Sequence, residues 1–302
     1  MRVAIIDLGT NTFSLLIVDI QATDYKILHH AKEAVKLGEG GITKGVIAPA
    51  AFQRGVNAMQ HLHSIIKREN VETIKAIATS AVREASNKNE FIAEIKRLTC
   101  ITVDAINGDE EAELIYFGNR MAVDMADETC LIIDIGGGSN EFIIANGTTI
   151  FWKQSFKLGV ARLLEMFNPE DPISEHTLQS IITYLRKELQ PLLTEIKKHP
   201  VTRLVGSAGV FESILHMIGK EEIVDSKTCY DIDVDDFRII SKRTIHSTLE
   251  ERMTMPGLIS MRREMIVLSF ILIDFVLDNT DVKNISLSTY SLKEGAITLF
   301  MK

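Results

Sequence analysis

Two stretches of this chain carry a carboxylate and small residues in an order suited to phosphate chemistry. They are Ile5-Ile6-Asp7-Leu8-Gly9-Thr10-Asn11-Thr12 and Ile132-Ile133-Asp134-Ile135-Gly136-Gly137-Gly138-Ser139. Each follows an apolar run that reads as a buried strand, turns at Asp-x-Gly, and leaves on a second apolar segment, Phe13 to Ile17 or Phe142 to Ile144. Such a strand–turn–strand unit gathers backbone N–H groups about one point, and glycine admits phosphate oxygens without a Cβ in the way. Asp7 and Asp134, at the ends of the first strands, are candidates to hold a hydrated divalent cation facing those phosphates. Glu141, across the second hairpin, aims another carboxylate at the same place; the competing reading is an ordinary outward strand residue. A third small-residue stretch, Gly206-Ser207-Ala208-Gly209, ends a strand and opens a helix, where a helix N-terminus can meet an anion. A plain strand-to-helix turn competes with that reading. The duplicated turn implies two related lobes clasping a phosphate-rich ligand.

The elements that must position these residues repeat as well. The first lobe reads as strands over 2–7, 13–20 and 25–36, then 73–79 and 101–106, with helices over 48–69, 87–98 and 109–124. Pro49 opens the first helix. The second lobe reads as strands over 129–135, 140–146, 148–156, 202–206 and 283–288. Its helices are expected over 158–167, 174–198, 209–218, 234–252 and 262–278, and a last helix over 290–300 closes the chain. Three antiparallel strands followed by alternating helix and strand is the ribonuclease H-like order of actin-type ATPases, sugar kinases and Hsp70 proteins. An α/β fold of two such lobes with a ligand cleft between them is therefore expected. The lobes are assigned to residues 1–124 and 125–289, with segment 290–302 packing back on the first, and the connection at Val123 to Glu128 is expected to act as a hinge.

Bulk properties agree with a two-lobed enzyme. At 302 residues the chain exceeds the usual span of one core. The three cysteines are widely spaced and form neither a zinc pattern nor a disulfide framework, which points to a reducing cytoplasm. Asp7 interrupts the first apolar run, so no signal-peptide layout is present. The greasiest stretch, Ile266 to Leu277, is too short to span a bilayer and reads as a buried helix. A formal net charge of −8 argues against nucleic acid as a partner. It leaves room for a polyanionic substrate held by local cations, with Lys36, Arg83, Arg203, Arg262 and Arg263 as candidates.

The chain resembles the exopolyphosphatase/guanosine pentaphosphate phosphohydrolase (Ppx/GppA) family. The first turn resembles that family's opening motif, as do Leu37-Gly38-Glu39-Gly40, Ala78-Thr79-Ser80-Ala81-Val82-Arg83-Glu84-Ala85 and Asn107-Gly108-Asp109-Glu110-Glu111-Ala112-Glu113-Leu114-Ile115. Further matches are Ile133 to Glu141, Val205-Gly206-Ser207-Ala208-Gly209, Pro256-Gly257-Leu258 and Tyr290-Ser291-Leu292-Lys293-Glu294-Gly295-Ala296, in order along nearly the whole chain.

The resemblance implies hydrolysis of a terminal phosphoanhydride, in inorganic polyphosphate or at the 5′ end of guanosine pentaphosphate. Mg²⁺ or Mn²⁺ is the implied cofactor, with K⁺ a further candidate and a homodimer a candidate assembly. It marks Glu111 as the general base directing the water; the residues alone leave Glu110 and Glu111 equivalent, in a first turn that Asp109 can cap. The competing reading of these acids is complementation of the helix dipole. The resemblance marks Thr10, Asn11, Thr12, Gly136 to Ser139 and Gly206 to Gly209 as phosphate contacts. Arg83, after the fourth strand, is expected to reach the transferring phosphate as a forked donor; a surface salt bridge competes.

Two positions depart from the family: Ser14 stands where many members have histidine, and Met265 where an aspartate is common. Long members carry a further helical domain with a His-Asp motif, and this sequence has no His-Asp dipeptide. It resembles the short form, and shorter polyphosphates are the expected substrates. Kinase-like and non-hydrolysing sensor readings stand behind the hydrolase.

Overall fold

The computed structural model describes residues 1–22, 24–224 and 226–301. Two sheets form around the two Asp-x-Gly hairpins. In the first, β1 (Arg2–Leu8), β2 (Thr12–Gln21) and β3 (Asp24–Ala34) are antiparallel neighbours. After α1 (Pro49–Arg68), β4 (Thr73–Ala78) pairs in parallel with β1. The short α2 (Ser80–Arg83) and α3 (Lys88–Thr99) lead to β5 (Val103–Ala105), and the strand order is β3-β2-β1-β4-β5. Helix α4 (Gly108–Ala122) then crosses to the second half.

The second sheet repeats that order with β6 (Cys130–Ile135), β7 (Asn140–Ala145) and β8 (Ile150–Phe156) antiparallel. Helices α5 (Val160–Phe167), α6 (Glu175–Glu188) and α7 (Gln190–Lys198) precede β9 (Arg203–Ser207). Next come α8 (Gly209–Ile218), β10 (Cys229–Asp233), α9 (Val234–Ile245), α10 (Leu249–Thr254) and α11 (Ile266–Asp278). Strand β11 (Asn284–Ser288) is parallel to β9, giving the order β10-β11-β9-β6-β7-β8. The chain closes on α12 (Leu292–Gly295) and a 3₁₀ segment, Ala296–Phe300. Both sheets thus share one ribonuclease H-like core order, and the second adds β10 at its edge.

Four sequence expectations need correction. Strand β10 has no counterpart among the expected strands: its Tyr230 and Ile232 face inward and alternate with exposed Asp231 and Asp233, a half-buried pattern only five residues long. The helix expected over 174–198 breaks at Leu189, where Pro191 opens α7. That expected over 234–252 breaks before Thr248, which forms a capping box with Glu251 and starts α10 afresh. The closing helix is one short turn followed by 3₁₀ geometry. Lys302 lies outside the described residues.

Three apolar layers result. One lies on the outer face of the first sheet, around Leu62, Phe91 and Ile95, and one on the outer face of the second, around Phe211, Phe237 and the buried α11. The third lies between the sheets. It joins Val3, Ile5 and Ile77 of the first to Ile132, Ile143 and Val205 of the second, with α4 and the closing segment in the middle. Helix α12 packs on α4, β1 and β2. Gly118 and Gly295 allow that crossing: a Cβ on Gly295 would sit 1.8 Å from the Leu114 carbonyl oxygen, and one on Gly118 2.0 Å from that of Ser291.

Candidate active site

The two hairpin turns close in the same way. The Gly9 N–H donates to the Thr12 carbonyl at 3.1 Å, and the Gly136 N–H donates to the Ser139 carbonyl at 3.1 Å. They also touch one another. A Cβ on Gly137 would lie 2.7 Å from Asn11 Nδ2, and one on Gly138 would lie 2.6 Å from Ser80 Oγ and 2.7 Å from Thr10 Oγ1. A side chain at either glycine would have to push these groups aside, and without one the second turn nests against the first and against the start of α2.

Two adjoining cavities lie at this junction. The smaller, about 100 Å³, is lined by Asp7, Gly9, Thr10, Thr79, Ser80, Glu111, Asp134, Gly136 to Ser139 and Glu141, among others. The larger, about 300 Å³, shares Asp7, Gly9, Thr10, Asp134, Gly136 and Gly137 with it and extends past Asn11, Thr12, Ser207, Ala208 and Gly209. Of the expected phosphate contacts in the three small-residue stretches, Gly206 alone lines neither. Its Cα abuts the Phe211 ring, where a Cβ would lie 2.1 Å from the ring, so packing accounts for that glycine. The backbone turns left-handed at Ala208 and Gly209, φ 41° and 50°, as it enters α8.

Glu111 and Glu110, which the residues alone left equivalent, part company at the start of α4. Asn107, not Asp109, is the N-cap: its side chain accepts from the Asp109 and Glu110 N–H groups, each at 2.9 Å. Glu110 completes the capping box by accepting the Asn107 N–H at 2.9 Å and stays on the surface. Glu111, one residue on, turns inward, 6% exposed, with its Oε2 2.6 Å from Arg83 Nη1. Burial pushes its carboxyl up to about 7, although Arg83 pulls the other way.

Arg83 is engaged rather than aimed into the cavity. It pairs with Glu111, donates to the Ile106 carbonyl at 3.2 Å and lies 3.5 Å from Glu84. A single nitrogen, Nη1, thus holds both Glu111 and the Ile106 carbonyl. Of the other cation candidates, Arg262 lines the larger cavity. Lys36 pairs with exposed Glu264 at 3.3 Å, and Arg203 is spent at the far end of β9 on Glu128 and the Asp124 carbonyl. Arg263 lines neither cavity.

Asp134 and Glu141 face each other across the β6–β7 ladder. Asp134 Oδ2 accepts from Ser207 Oγ at 2.9 Å and Ser291 Oγ at 2.6 Å, and Glu141 Oε1 accepts from Ser155 Oγ at 2.6 Å. Burial raises both carboxyls, Glu141 well above its usual range with Glu111 and Asp134 adding to the push. Asp7 is pushed up to about 7 by burial and by Glu111, and its Oδ1 has no hydrogen-bond partner. Ser80 Oγ, buried on the same small cavity, is also without a partner.

Sequence reading passed over four contributors. Thr79 and Ser80 lie in a motif read only for Arg83; Ser291 and Lys293 come from the closing segment, far from Asp7 and Asp134 in sequence. Lys293 lines the larger cavity and pairs with Glu294 at 2.8 Å. Burial works against its charge, but Glu294, Asp7 and Glu212 hold its pKa above the usual lysine value. The family motif around Lys293-Glu294-Gly295 was the available signal.

The carboxylates suit a hydrated cation. Four of them crowd one cavity, their charged forms are disfavoured, and Asp7 Oδ1 is an orphaned acceptor. Among the described residues no three acidic, histidine or cysteine side chains converge into a ready cage. A cation here would be held through water and substrate oxygens, as Mg²⁺ usually is.

Known proteins resemble the chain over its full length. The Ppx/GppA phosphatase family pattern matches residues 16–302. An exopolyphosphatase from Cytophaga hutchinsonii superposes with a TM-score of 0.96 at 39% identity, covering 100% of this chain and 99% of that one. A PPX-GPPA enzyme from Aquifex aeolicus superposes with a TM-score of 0.83 at 23% identity, covering 99% of each, which speaks to fold alone. No helix among the described residues is long and apolar enough to cross a membrane. By the reach of the sequence pattern and by 39% identity across a complete partner, the chain belongs to the Ppx/GppA phosphatase family.

Proposed function

We propose that the chain is an exopolyphosphatase, releasing orthophosphate from the end of inorganic polyphosphate. One observation carries the reading: Glu111, buried and with its carboxyl raised to about 7, lines the same small cavity as both phosphate turns. A general base works best with a pKa near the working pH, within reach of the water it activates. The family and the Cytophaga hutchinsonii exopolyphosphatase supply the substrate class.

In this mechanism the terminal phosphate occupies the small cavity between the Gly9–Thr12 and Gly136–Ser139 turns, with Ser80 Oγ a free hydroxyl donor. The rest of the chain lies in the larger cavity beside Lys293. Arg83 keeps the Glu111 carboxylate oriented, and Glu111 takes a proton from the water as its oxygen bonds the terminal phosphorus; the bridging P–O bond breaks, orthophosphate is released and the shortened chain keeps the bridging oxygen. Asp7, Asp134 and Glu141 are the residues to hold Mg²⁺ or Mn²⁺, which would offset the charge that develops on the transferring phosphate. The buried setting strengthens each of these contacts.

A guanosine pentaphosphate 5′-phosphohydrolase is the second reading. Ile259, Met261, Met265 and Ile266 form an apolar wall of the larger cavity on which a base could rest. Phosphate release in Mg²⁺ from short polyphosphate, long polyphosphate, guanosine pentaphosphate and ATP separates the two. Release fastest from polyphosphate is the expected result. Fastest release from guanosine pentaphosphate would transfer the assignment, and tight binding with no release would replace the enzyme with a sensor.

A further inference from the structure

The larger cavity presents three cations, Lys32, Arg262 and Lys293, and apart from the two turn aspartates its single carboxylate is Glu212. Glu212 sits in the first turn of α8, the helix N-terminus expected to meet a phosphate. One of its oxygens, Oε2, lies 3.6 Å from Arg262 Nη2 and 4.0 Å from Lys32 Nζ. Arg262 is steadied by donating from Nη1 to Ser213 Oγ at 2.6 Å. Lys32 belongs to β3 of the first sheet, whereas Arg262 and Glu212 belong to the second half, so this carboxylate clasps cations from both sides of the cleft. Its field also supports the charge on Lys293 and, against burial, that on Arg262. An internal anion thus stands where a bound polyanion would make its outer contacts.

We propose that Glu212 is a specificity-determining residue, occupying the Lys32 and Arg262 positions that phosphates further along a long polyphosphate would otherwise take. The inference rests on the polyphosphate reading above. A short chain fills the turns and the Lys293 neighbourhood without needing those cations. A long chain meets a carboxylate between them, and like charges in a confined cleft repel. Selectivity for short chains follows from this one charge.

The test compares kcat/KM for tripolyphosphate and for a long polyphosphate in the wild-type enzyme and in Glu212→Gln, so that any effect common to both substrates cancels. The long-to-short ratio should rise roughly fivefold or more, as expected for removing one like charge from a partly screened cleft. Lys32→Gln, a change at an exposed side chain, should lower the same ratio, and it carries the test should Glu212→Gln not fold. An unchanged ratio in a folded Glu212→Gln enzyme that hydrolyses both substrates would overturn the inference alone. No release from either substrate by the wild type would overturn the polyphosphate reading itself, and this inference with it.

Discussion

Asp7, Glu111, Asp134 and Glu141 converge on one cavity of about 100 Å³, and burial disfavours the charged form of each. The catalytic consequence has a definite sign. As the proposed base, Glu111 accepts a proton only when ionised, and burial pushes its carboxyl up to about 7. The kcat/KM for polyphosphate should therefore climb about tenfold per pH unit below that value and level off above it. A profile flat from about pH 5.5 to 8 would contradict the assignment. The stability consequence runs the other way. Asp7 and Glu111 have folded pKa values raised to about 7 from 3.8 and 4.5, so between those limits the folded protein holds protons that the unfolded chain releases. Their neutral forms contribute stability below about pH 4, and it is lost as pH rises through about 7. In divalent-free buffer Tm should fall between those pH values, and added Mg²⁺ should recover more of it at about pH 8 than at about pH 5. An equal gain at both would argue against cation binding by these carboxylates.

Among the elements, what was legible was whatever local chemistry governs. The Asp-x-Gly hairpins were readable because strand–turn–strand units declare themselves within about fifteen residues. The greasy Ile266 to Leu277 stretch was readable as a buried helix because only Ser269 and Asp274 interrupt its apolar residues. Glu110 and Glu111 were not separable locally: which acid turns inward follows from Asn107 being the cap, and Asp109 offered an equally acceptable one. Arg83 as a partner of Glu111 was not legible either, because the α2–α4 packing that joins them is tertiary. The α4–α12 crossing carries a test at this scale. Gly295→Ala would drive a methyl against the Leu114 carbonyl, so it should destabilise the fold by about 2 kcal/mol or more and lower Tm by several degrees. A wild-type Tm would show that the crossing relaxes freely. Because Ser291 and Lys293 ride on the same segment, activity should fall with it.

Across the whole molecule, the two halves share an apolar layer as well as a cleft. Val3, Ile5 and Ile77 from one sheet and Ile132, Ile143 and Val205 from the other are all buried there, and Val123 and Met125 of the connecting segment join them. Arg203 further ties that segment down through Glu128 and the Asp124 carbonyl. Interfaces of this apolar kind couple the elements they join. Calorimetric unfolding should accordingly show one cooperative transition, and two resolved transitions would mean that the halves are independent. The duplication of the turn was plain in the sequence; the shared layer was not, since its residues are scattered from Val3 to Ile297 and each reads as ordinary core.

The most direct test of the account is phosphate release from polyphosphate in Mg²⁺ by Glu111→Gln beside the wild-type enzyme, with thermal melts of both. The amide keeps the shape of the side chain and loses the base, so turnover should fall by about 10²- to 10⁴-fold while the protein stays folded. Turnover within a few-fold of wild type in the folded variant would contradict the assignment of Glu111 as the group that directs the water.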